Sequence, residues 1–214
     1  EFLSLFDDRT RCFFGETIAN PSLEIFDFDR FIPLVHSKGV PVIIDNTFAT
    51  PILCNPISLG ADIVVHSTTK YMDGHAEVVG GVIVDGGTFD WTAGGKYPEL
   101  TEPDESYHGV VYAEQFGKAA YITKARTQLM RDLGTTVQPI AAFLINNGLE
   151  TLSLRIRKHS ENALAIAEYL RTRSDIVESV SYPGLSDDKE HGKAMKYLKN
   201  GMASGVVSFC VKGG

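Results

Sequence analysis

The sequence VVHSTTKYMDGH occupies residues 64–75 and places a lysine directly after a pattern typical of a buried strand. The apolar run that ends at Val65 leads into a group of hydroxyl side chains, and Lys70 follows them. A lysine in this position is either a solvated strand end or a reactive amine with a chemical role. The two interpretations predict different neighbours for Lys70 elsewhere in the sequence.

The composition is that of an ordinary globular protein. Of the 214 residues, 43% are hydrophobic and 22% are charged, and this length suits one large domain, or one domain and part of a second. The net charge of −7 and the lack of a basic cluster argue against nucleic-acid binding. No apolar run approaches the roughly 18 residues that span a membrane, and no signal peptide is visible, so we expect no membrane association.

The three cysteines are widely spaced and odd in number: Cys12, Cys54 and Cys210. Cys12 and Cys210 lie within apolar runs, which favours thiols buried in a core over disulfides. We therefore expect reduced core cysteines and a cytoplasmic location.

Strands and helices alternate in the first part of the chain. The spacing of apolar residues predicts a short helix that begins after the N-cap Asp27 and stops at Gly39. Its apolar face consists of Phe28, Phe31, Ile32 and Val35. The expected strands cover residues 11–18, 42–45, 61–65 and 78–85. Continuous apolar runs separated by helical crossovers indicate an α/β fold with a mostly parallel sheet, in which residues 11–85 form parallel strands with helices on both faces.

The second part of the chain has a different pattern. Residues 86–109 have no period, which is typical of a functional or mobile segment. A 3/4 spacing of apolar residues predicts one long helix over residues 148–173. A strand at 176–185, a helix near 187–199 and a strand at 205–214 follow it. We place a domain boundary near residue 150, so that 1–150 form a large domain and 151–214 begin a smaller α+β domain.

Polar residues follow three of the expected strands. Glu16 follows the first, Asp45 the second, and His66 to Lys70 the third. Ligands bind beyond the carboxyl ends of the strands in open α/β sheets, so these residues should meet at one edge of the sheet. A turn or a helix cap would explain Asp45 and Asn46 in isolation, but the convergence with a lysine makes that explanation weaker.

This set of residues suits a pyridoxal phosphate site. Such a site needs a lysine amine to hold the cofactor and an aspartate to keep the pyridine nitrogen protonated, so that the ring can act as an electron sink. It also needs donors for the phosphate. Lys70 supplies the amine, Asp45 the negative charge, and Ser67 and Thr69 the hydroxyl donors.

Six stretches of the chain resemble one family. VIIDNTFATP, ADIVVHSTTKYMDGH and GGVIVDGG are similar to segments of the Cys/Met-metabolism group of pyridoxal-phosphate enzymes. GETIANP at 15–21, GLETLSLRIRKHSENA at 148–163 and VSYPGL at 180–185 resemble it as well. The resemblance implies the fold of pyridoxal-phosphate-dependent transferases, with a large domain like that of aspartate aminotransferase. It also implies a homotetramer in which neighbouring chains complete each active site.

The resemblance also implies roles for individual residues. Lys70 corresponds to the Schiff-base lysine, and Asp45 corresponds to the partner of the pyridine nitrogen. Ser67 and Thr69 correspond to the phosphate-binding hydroxyls. Glu16 and Asn20 lie in a Glu-x-x-x-Asn segment that the family places near the cofactor ring.

The segment 94–117, called the insertion below, indicates a particular reaction. Its sequence GGKYPELTEPDESYHGVVYAEQFG resembles a segment of O-acetylhomoserine sulfhydrylases, whereas the lyases of the family have a shorter connection. The resemblance therefore implies replacement at the γ-carbon of an O-acylated homoserine by sulfide or a small thiol, giving homocysteine or methionine. Cystathionine or methionine γ-lyase activity is the alternative. Pro103, Tyr107 and His108 would narrow the entrance of the site, with two alternatives left open by the sequence: the segment folds on itself, or it serves subunit packing.

The two ends of the chain suggest a fragment, since it opens with Glu1-Phe2-Leu3 and stops at Lys212-Gly213-Gly214 directly after an apolar run. The resemblance places the family's glycine-rich phosphate turn and its ring-stacking tyrosine before residue 1. It places the arginine that binds the substrate carboxylate after residue 214. A truncated chain that packs with partner subunits without catalysis is therefore a non-enzymatic alternative.

Other kinds of site fit the sequence less well. Ser67 to Lys70 also match the Ser-x-x-Lys pattern of penicillin-binding enzymes, but no Ser-Asp-Asn occurs and the sheet is expected to be parallel. A nucleotide-binding P-loop lacks its glycines and spacing. His66 and His75 could be zinc ligands, but without close His/Cys spacing we favour loop histidines that are hydrogen-bonded.

Overall fold

The computed structural model describes residues 2–213, so Glu1 and Gly214 lie outside the described part. A four-stranded sheet has the order β1-β2-β3-β4, and its strands are β1 Phe13–Glu16, β2 Val42–Asp45, β3 Ile63–Ser67 and β4 Gly81–Asp85. β5 Val177–Ser181 and β6 Ser208–Val211 form a separate antiparallel pair. The expected α/β fold with a mostly parallel sheet is confirmed.

The first three strands run parallel in a register that aligns their carboxyl ends. Glu16 lies opposite Asp45, and Asp45 lies opposite Val65. The β-branched residues Val42 and Ile44 are fully buried between the neighbouring strands and the helices. The polar residues that follow each apolar run therefore meet at one edge of the sheet.

The fourth strand corrects the expectation of an all-parallel sheet over residues 11–85. β4 is antiparallel to β3, with Ser67 opposite Gly81 and Ile63 opposite Asp85. A parallel strand needs a crossover, usually a helix, whereas residues 68–80 contain only turns, so the chain reverses direction. An apolar run does not reveal the direction of its strand. β4 is also less covered than expected, since Val82, Ile83 and Val84 are exposed.

The first strand is likewise shorter and less buried than predicted. β1 begins at Phe13 rather than at residue 11, and Phe14 is 57% exposed. β1 is an edge strand within the described residues, so one side lacks a neighbour.

The helix after β1 agrees with the sequence pattern. It spans Phe28–His36, and the Asp27 side chain accepts a hydrogen bond from the Arg30 N–H at 3.3 Å, as an N-cap does. Phe28 and Val35 are fully buried. The helix ends at His36, and Gly39 then adopts a φ of 62°, which allows the chain to turn towards β2.

The remaining helices are mostly short, with one long exception. The α-helices are α1 Phe28–His36, α2 Thr50–Leu53, α3 Pro98–Thr101, α4 Tyr112–Phe116, α5 Ala120–Lys124, α6 Arg131–Leu133, α7 Pro139–Thr172 and α8 His191–Tyr197. A π-helical stretch, Ala125–Met130, joins α5 to α6.

The long helix α7 begins at Pro139, earlier than the predicted residue 148. Proline is well suited to the first turn of a helix because it lacks the N–H that would be unpaired there. The prediction missed these first turns, in which Ile140 and Phe143 are exposed. Residue 150 lies inside this helix, and the domain boundary proposed there stays a prediction.

Two clusters of buried residues stabilise the chain. The larger includes Phe28 of α1, Ile44 of β2, Ile156 of α7 and Tyr182 after β5. The smaller lies beneath the insertion and contains Ile63, Trp91, Tyr97, Leu100, Tyr112 and Ala120. The aperiodic residues 86–109 are therefore built around an aromatic core of their own.

The cysteine prediction was only partly right. All three thiols are free, and Cys54 is buried, but Cys12 and Cys210 are exposed. Cys12 precedes the edge strand β1 and Cys210 lies in the two-stranded sheet, so the apolar runs around them are not covered on both sides. As for membranes, none of the helices in residues 2–213 combines the length and apolar character needed to cross a bilayer.

Candidate active site

A cleft of about 150 Å³ lies at the carboxyl ends of β1, β2 and β3. Its lining residues are Glu16, Ile18, Asn20, Asp45, Thr47, Phe48, Ser67 and Lys70. Five of the six predicted site residues are in this set, and Thr69 is the exception. The sheet register brings together residues from three segments, as expected for a ligand site in a parallel α/β sheet.

Asp45 is held in place by Thr47, which lies two residues further along the chain. Its Oδ1 accepts a hydrogen bond of 2.8 Å from the Thr47 N–H. The Oδ2 atom accepts no hydrogen bond from residues 2–213 and remains available to a ligand. One oxygen thus forms the turn that the simpler interpretation of Asp45 predicted, while the other is free for a binding role.

Thr47 joins two of the strand ends. Its Oγ1 accepts a hydrogen bond of 2.8 Å from the Ser67 N–H, while its own N–H is bound to Asp45. The carboxylate at the end of β2 and the backbone of Ser67 at the end of β3 are therefore fixed relative to each other. Thr47 was not predicted from the sequence, although its position two residues after Asp45 was a usable signal.

A buried polar network lies behind Asp45. The Thr17 hydroxyl donates to Asn46 Oδ1 at 2.7 Å, and Asn46 Nδ2 donates to the carbonyls of Thr50 at 3.1 Å and Cys54 at 3.0 Å. Asn46 is 1% exposed. Buried polar groups are stabilising only when they are paired, and here both amide donors and the amide oxygen are used. The network ties the ends of β1 and β2 to α2.

Lys70 lies in a tight turn after β3. The Gly74 N–H donates to the Lys70 carbonyl, and the Asp73 N–H donates to the Thr68 carbonyl, both at 2.9 Å. The Lys70 side chain is exposed. No acid in residues 2–213 lies within ion-pair distance of its Nζ atom, which leaves the amine accessible from the cleft.

Thr69 does not line the cleft, and its hydroxyl is bound to the backbone of Gly80. Its hydroxyl accepts a hydrogen bond from the Gly80 N–H at 3.0 Å and donates to the Gly80 carbonyl at 3.2 Å. It therefore connects the turn after β3 to the start of β4. Its phosphate-binding role stays a prediction.

Glu16 and Asn20 lie at the third side of the cleft. Glu16 Oε2 accepts a hydrogen bond of 3.0 Å from the Asn20 N–H, which bends the chain after β1 towards the cleft. Ile18 and Phe48 add apolar surface between the polar residues. Neither apolar residue was selected from the sequence, because nothing in a short apolar segment distinguishes a cleft wall from a core.

The two histidines of this region differ. His66 belongs to β3, is 6% exposed, and its Nδ1 has no hydrogen-bond partner in residues 2–213, so the expectation of a hydrogen-bonded loop histidine was wrong for it. Burial lowers the pKa of the His66 imidazole, and the attraction of Asp45 opposes this shift.

For His75 the expectation was right. Its Nδ1 is 2.8 Å from the Asp73 carbonyl. The side chains of Asp73, His75 and Glu77 bring possible ligand atoms within 4.8 Å of one another. This proximity follows from the turn itself, because Asp73 Oδ2 accepts hydrogen bonds from the N–H groups of both His75 and Glu77.

The run PDESYHG at residues 103–109, within the insertion, folds on itself. Asp104 Oδ1 accepts hydrogen bonds from the N–H and the hydroxyl of Ser106 at 3.0 and 2.6 Å, and Asp104 Oδ2 pairs with Lys124 at 2.5 Å. Tyr107 stacks on Tyr112. None of Pro103, Tyr107 and His108 lines the cleft formed by residues 2–213. The expected narrowing of the entrance stays a prediction.

Two curated proteins with sequences similar to this chain are named for related activities. Over 214 residues the chain is 48% identical to the homocysteine/cysteine synthase of Saccharomyces cerevisiae, covering 99% of this chain and 48% of that protein. It is 47% identical to the O-acetyl-L-homoserine sulfhydrylase of Leptospira meyeri, covering 97% and 48%. The chain thus spans about half the length of the curated relatives it matches.

Solved structures share the fold. A Campylobacter jejuni protein described as an O-acetylhomoserine (thiol)-lyase has a TM-score of 0.92 at 32% identity, covering 99% of this chain and 52% of that chain, and its structure contains N'-pyridoxyl-lysine-5'-monophosphate. The O-acetylhomoserine sulfhydrylase of Wolinella succinogenes has a TM-score of 0.83 at 31% identity, covering 99% and 57%.

The family is decided by a match over the whole chain. Residues 1–214 match the model of the Cys/Met metabolism PLP-dependent enzymes. The cleft at the strand ends, with its lysine and its aspartate, is consistent with that match. The chain therefore belongs to the Cys/Met-metabolism family of pyridoxal-phosphate-dependent enzymes.

Proposed function

We propose that this chain forms the cofactor-binding part of an enzyme that replaces the γ-substituent of O-acetylhomoserine with sulfide or a small thiol, giving homocysteine or methionine. The observation that carries the proposal is the convergence of Lys70, Asp45 and Ser67 on one cleft. The names and the 47–48% identity of the relatives support the choice of substrate.

The residues of the cleft fit pyridoxal phosphate in their donor chemistry. Asp45 Oδ2 is free to accept a hydrogen bond from a protonated pyridine nitrogen, because Thr47 occupies only Oδ1. The Ser67 hydroxyl is a donor at the adjacent strand end and would hold the phosphate. Lys70 offers an accessible primary amine to the aldehyde. Asn20 and Glu16 would lie beside the ring.

The cofactor, when bound, supplies an electron sink that stabilises negative charge at the substrate Cα. Asp45 strengthens that sink by keeping a positive charge on the ring nitrogen. Lys70 Nζ is the group we assign to remove the proton from Cα and to move a proton at Cβ as the γ-acetate leaves. Sulfide or a thiol then takes the place of the acetate.

Cofactor attachment can be tested with the full-length protein. Borohydride reduction in the presence of pyridoxal phosphate, followed by peptide mapping, is expected to label Lys70. Lys70→Ala should abolish the label and the visible absorbance, while the control Lys38→Ala, in an exposed loop, should change neither. A label that persists on another lysine in Lys70→Ala would refute the assignment.

The reaction itself is tested by product analysis. We expect O-acetylhomoserine and sulfide to give homocysteine and acetate. Release of 2-oxobutyrate as the main product from the amino-acid substrate, with no dependence on sulfide, would instead favour the γ-lyase alternative. A full-length protein that binds no cofactor would support the non-catalytic alternative.

The same proposal includes a homo-oligomer, with a tetramer as the expected form, and a cytoplasmic location. Their support is the family membership. Light scattering of the purified full-length protein would measure the oligomeric state.

A further inference from the structure

The turn that carries Lys70 packs directly against the long helix α7. Arg155 Nη1 donates to the Tyr71 carbonyl at 2.7 Å, and Nη2 donates to the Gly148 carbonyl at 2.7 Å. The third nitrogen, Nε, donates to Thr151 Oγ1 at 3.0 Å. One guanidinium group therefore joins the residue after Lys70 to a helix, although Arg155 and Tyr71 are 84 positions apart in the chain.

The helix approaches this turn unusually closely. A Cβ atom built on residue 148 would lie 2.2 Å from the Asp73 carbonyl oxygen and 2.5 Å from the Met72 carbonyl oxygen. Both obstacles are backbone atoms, which cannot move aside as a flexible side chain can. Gly148 is therefore required for this contact, and its missing side chain makes room for the turn.

Charge reinforces the contact. Asp73 is fully buried, and Arg155 is a cation close enough to attract its carboxylate. A buried carboxylate is costly unless it is hydrogen-bonded or near a positive charge. Asp73 Oδ2 has two backbone donors, whereas Oδ1 has no hydrogen bond within residues 2–213, so the attraction of Arg155 is an important part of its compensation.

The turn is short enough to transmit this restraint to Lys70. Its backbone is closed by the Gly74 N–H to Lys70 carbonyl bond and by the Asp73 N–H to Thr68 carbonyl bond. Fixing the Tyr71 carbonyl and the backbone at Asp73 restrains Lys70 from its C-terminal side, and the bond from the Asp73 N–H to the Thr68 carbonyl carries the restraint to its N-terminal side. An amine that must reach a bound aldehyde depends on that placement.

We propose that Arg155, seated by the close approach at Gly148, is a positioning residue that holds the Lys70 turn against α7. The part of the proposal that concerns cofactor attachment depends on the function proposed above for Lys70. The placement of the turn itself does not depend on it.

The test uses three variants of the full-length protein. Arg155→Met keeps the aliphatic length and removes all three donors, while Arg155→Lys keeps the charge and can reach one carbonyl at a time. The matched control is Arg157→Met, since Arg157 lies two residues further along α7, is exposed, and has a side chain that forms no hydrogen bond within residues 2–213. Arg155→Lys also serves if Arg155→Met does not fold.

Hydrogen–deuterium exchange of the cofactor-free protein measures the turn directly. Without the hydrogen bond that the charged Arg155 donates, the turn should open more often. We therefore expect the amides of residues 71–77 to exchange about tenfold faster in Arg155→Met. Arg155→Lys should be intermediate and Arg157→Met unchanged. Equal exchange in all variants would overturn the proposal.

Cofactor binding provides the second measurement. We expect the Kd for pyridoxal phosphate to rise about tenfold in Arg155→Met, with a shifted pH midpoint of its visible absorbance, and to recover partly in Arg155→Lys. Faster exchange with unchanged Kd and unchanged spectrum would show that the contact does not position Lys70. Faster exchange in a protein that binds no cofactor in any variant would retain the restraint on the turn and overturn the proposed function.

Discussion

The strand-end cleft and the insertion are both rich in polar and aromatic residues, but they are organised differently. The cleft is assembled from segments that are distant in sequence, because three parallel strands place their ends side by side. The insertion is organised by local bonds, such as those of Asp104 to Ser106, and by its own aromatic cluster. Its Tyr97 hydroxyl contacts the carbonyls of Arg11 and Gly39, which precede β1 and β2 and so lie at the opposite end of the sheet from Asp45.

The difference leads us to the hypothesis that the more conspicuous of the two motifs has the more structural role. The run PDESYHG contains an acid, a hydroxyl, a tyrosine and a histidine, yet its hydrogen bonds close a turn. DNT at 45–47 is less conspicuous, and its three residues connect the cleft to the buried network behind it. The comparison predicts that substitutions at the cleft change activity, whereas substitutions in the insertion mainly change stability.

The largest effect is expected for Asp45→Asn in the full-length enzyme. The amide cannot hold a positive charge on the ring nitrogen, so turnover should fall roughly a hundredfold or more while some cofactor remains bound. Steady-state assays and visible spectra measure the two effects separately. Asp8→Asn, at an exposed aspartate outside the cleft, is the control. Unchanged turnover in Asp45→Asn would remove the assignment of Asp45.

A smaller effect is expected for Gly148→Ala, which tests the support of the cleft. The added methyl group would collide with the carbonyl oxygens of Met72 and Asp73, so the free energy of unfolding should fall by about 1–3 kcal/mol. Gly192→Ala is a matched control, because Gly192 lies in helix α8 and its added Cβ would meet no atom of residues 2–213 within 4 Å other than its chain neighbours and its own helix backbone. Alanine is the better helix former, so this control should be neutral or stabilising. Urea denaturation that shows the same change for both variants would contradict the close contact at Gly148.

The smallest effect on activity is expected for Asp104→Asn in the insertion. Turnover should change less than about twofold, as for substitutions away from a site. The hydrogen bond from Lys124, followed by that from Ser106, lowers the pKa of Asp104 to about 2. A carboxyl group whose pKa is lower in the folded than in the unfolded protein stabilises the fold. This contribution is fully present at a pH above the group's ordinary pKa near 3.8, and it is lost as the pH falls towards 2.

Thermal unfolding between pH 7 and pH 2 checks the second part of that prediction. The melting temperature of Asp104→Asn should be lower than that of the wild type at pH 7, and the two should converge near pH 2. Glu105→Gln, at the exposed neighbouring residue, should show no such convergence. A loss of turnover comparable to that of Asp45→Asn would show that the insertion takes part in catalysis.

The sequence was sufficient to predict the residues that depend on strand ends. β2 and β3 are apolar runs that end in polar residues, and this is why Asp45, Ser67 and Lys70 could be selected. The direction of β4 was predicted wrongly, because an apolar run is the same for both directions, and the short connection without a helical pattern was the signal that should have decided it. The partner of Thr69 was not predicted either. Its hydroxyl binds Gly80, which directly precedes the antiparallel strand β4.

Other features depend on contacts between segments that are far apart. The role of Arg155 was not predictable, because on α7 it follows the same spacing as any polar helix residue. Its significance comes from Tyr71, a residue in a different part of the fold. The start of α7 at Pro139 was also missed, although Ile140, Phe143 and Leu144 follow the i, i+3, i+4 spacing of a helix.

The hydrogen bonds of Asn46 have a consequence for the chemical ageing of the protein. Asparagine side chains deamidate when the next backbone nitrogen attacks the amide, and the product is an acid. At Asn46 that nitrogen belongs to Thr47 and is bound to Asp45, while both amide hydrogens are bound to carbonyls. Asn200 precedes Gly201, is exposed and has no such restraint within residues 2–213. During storage we therefore expect deamidation to begin at Asn200, where it leaves the cleft unchanged, and to spare Asn46.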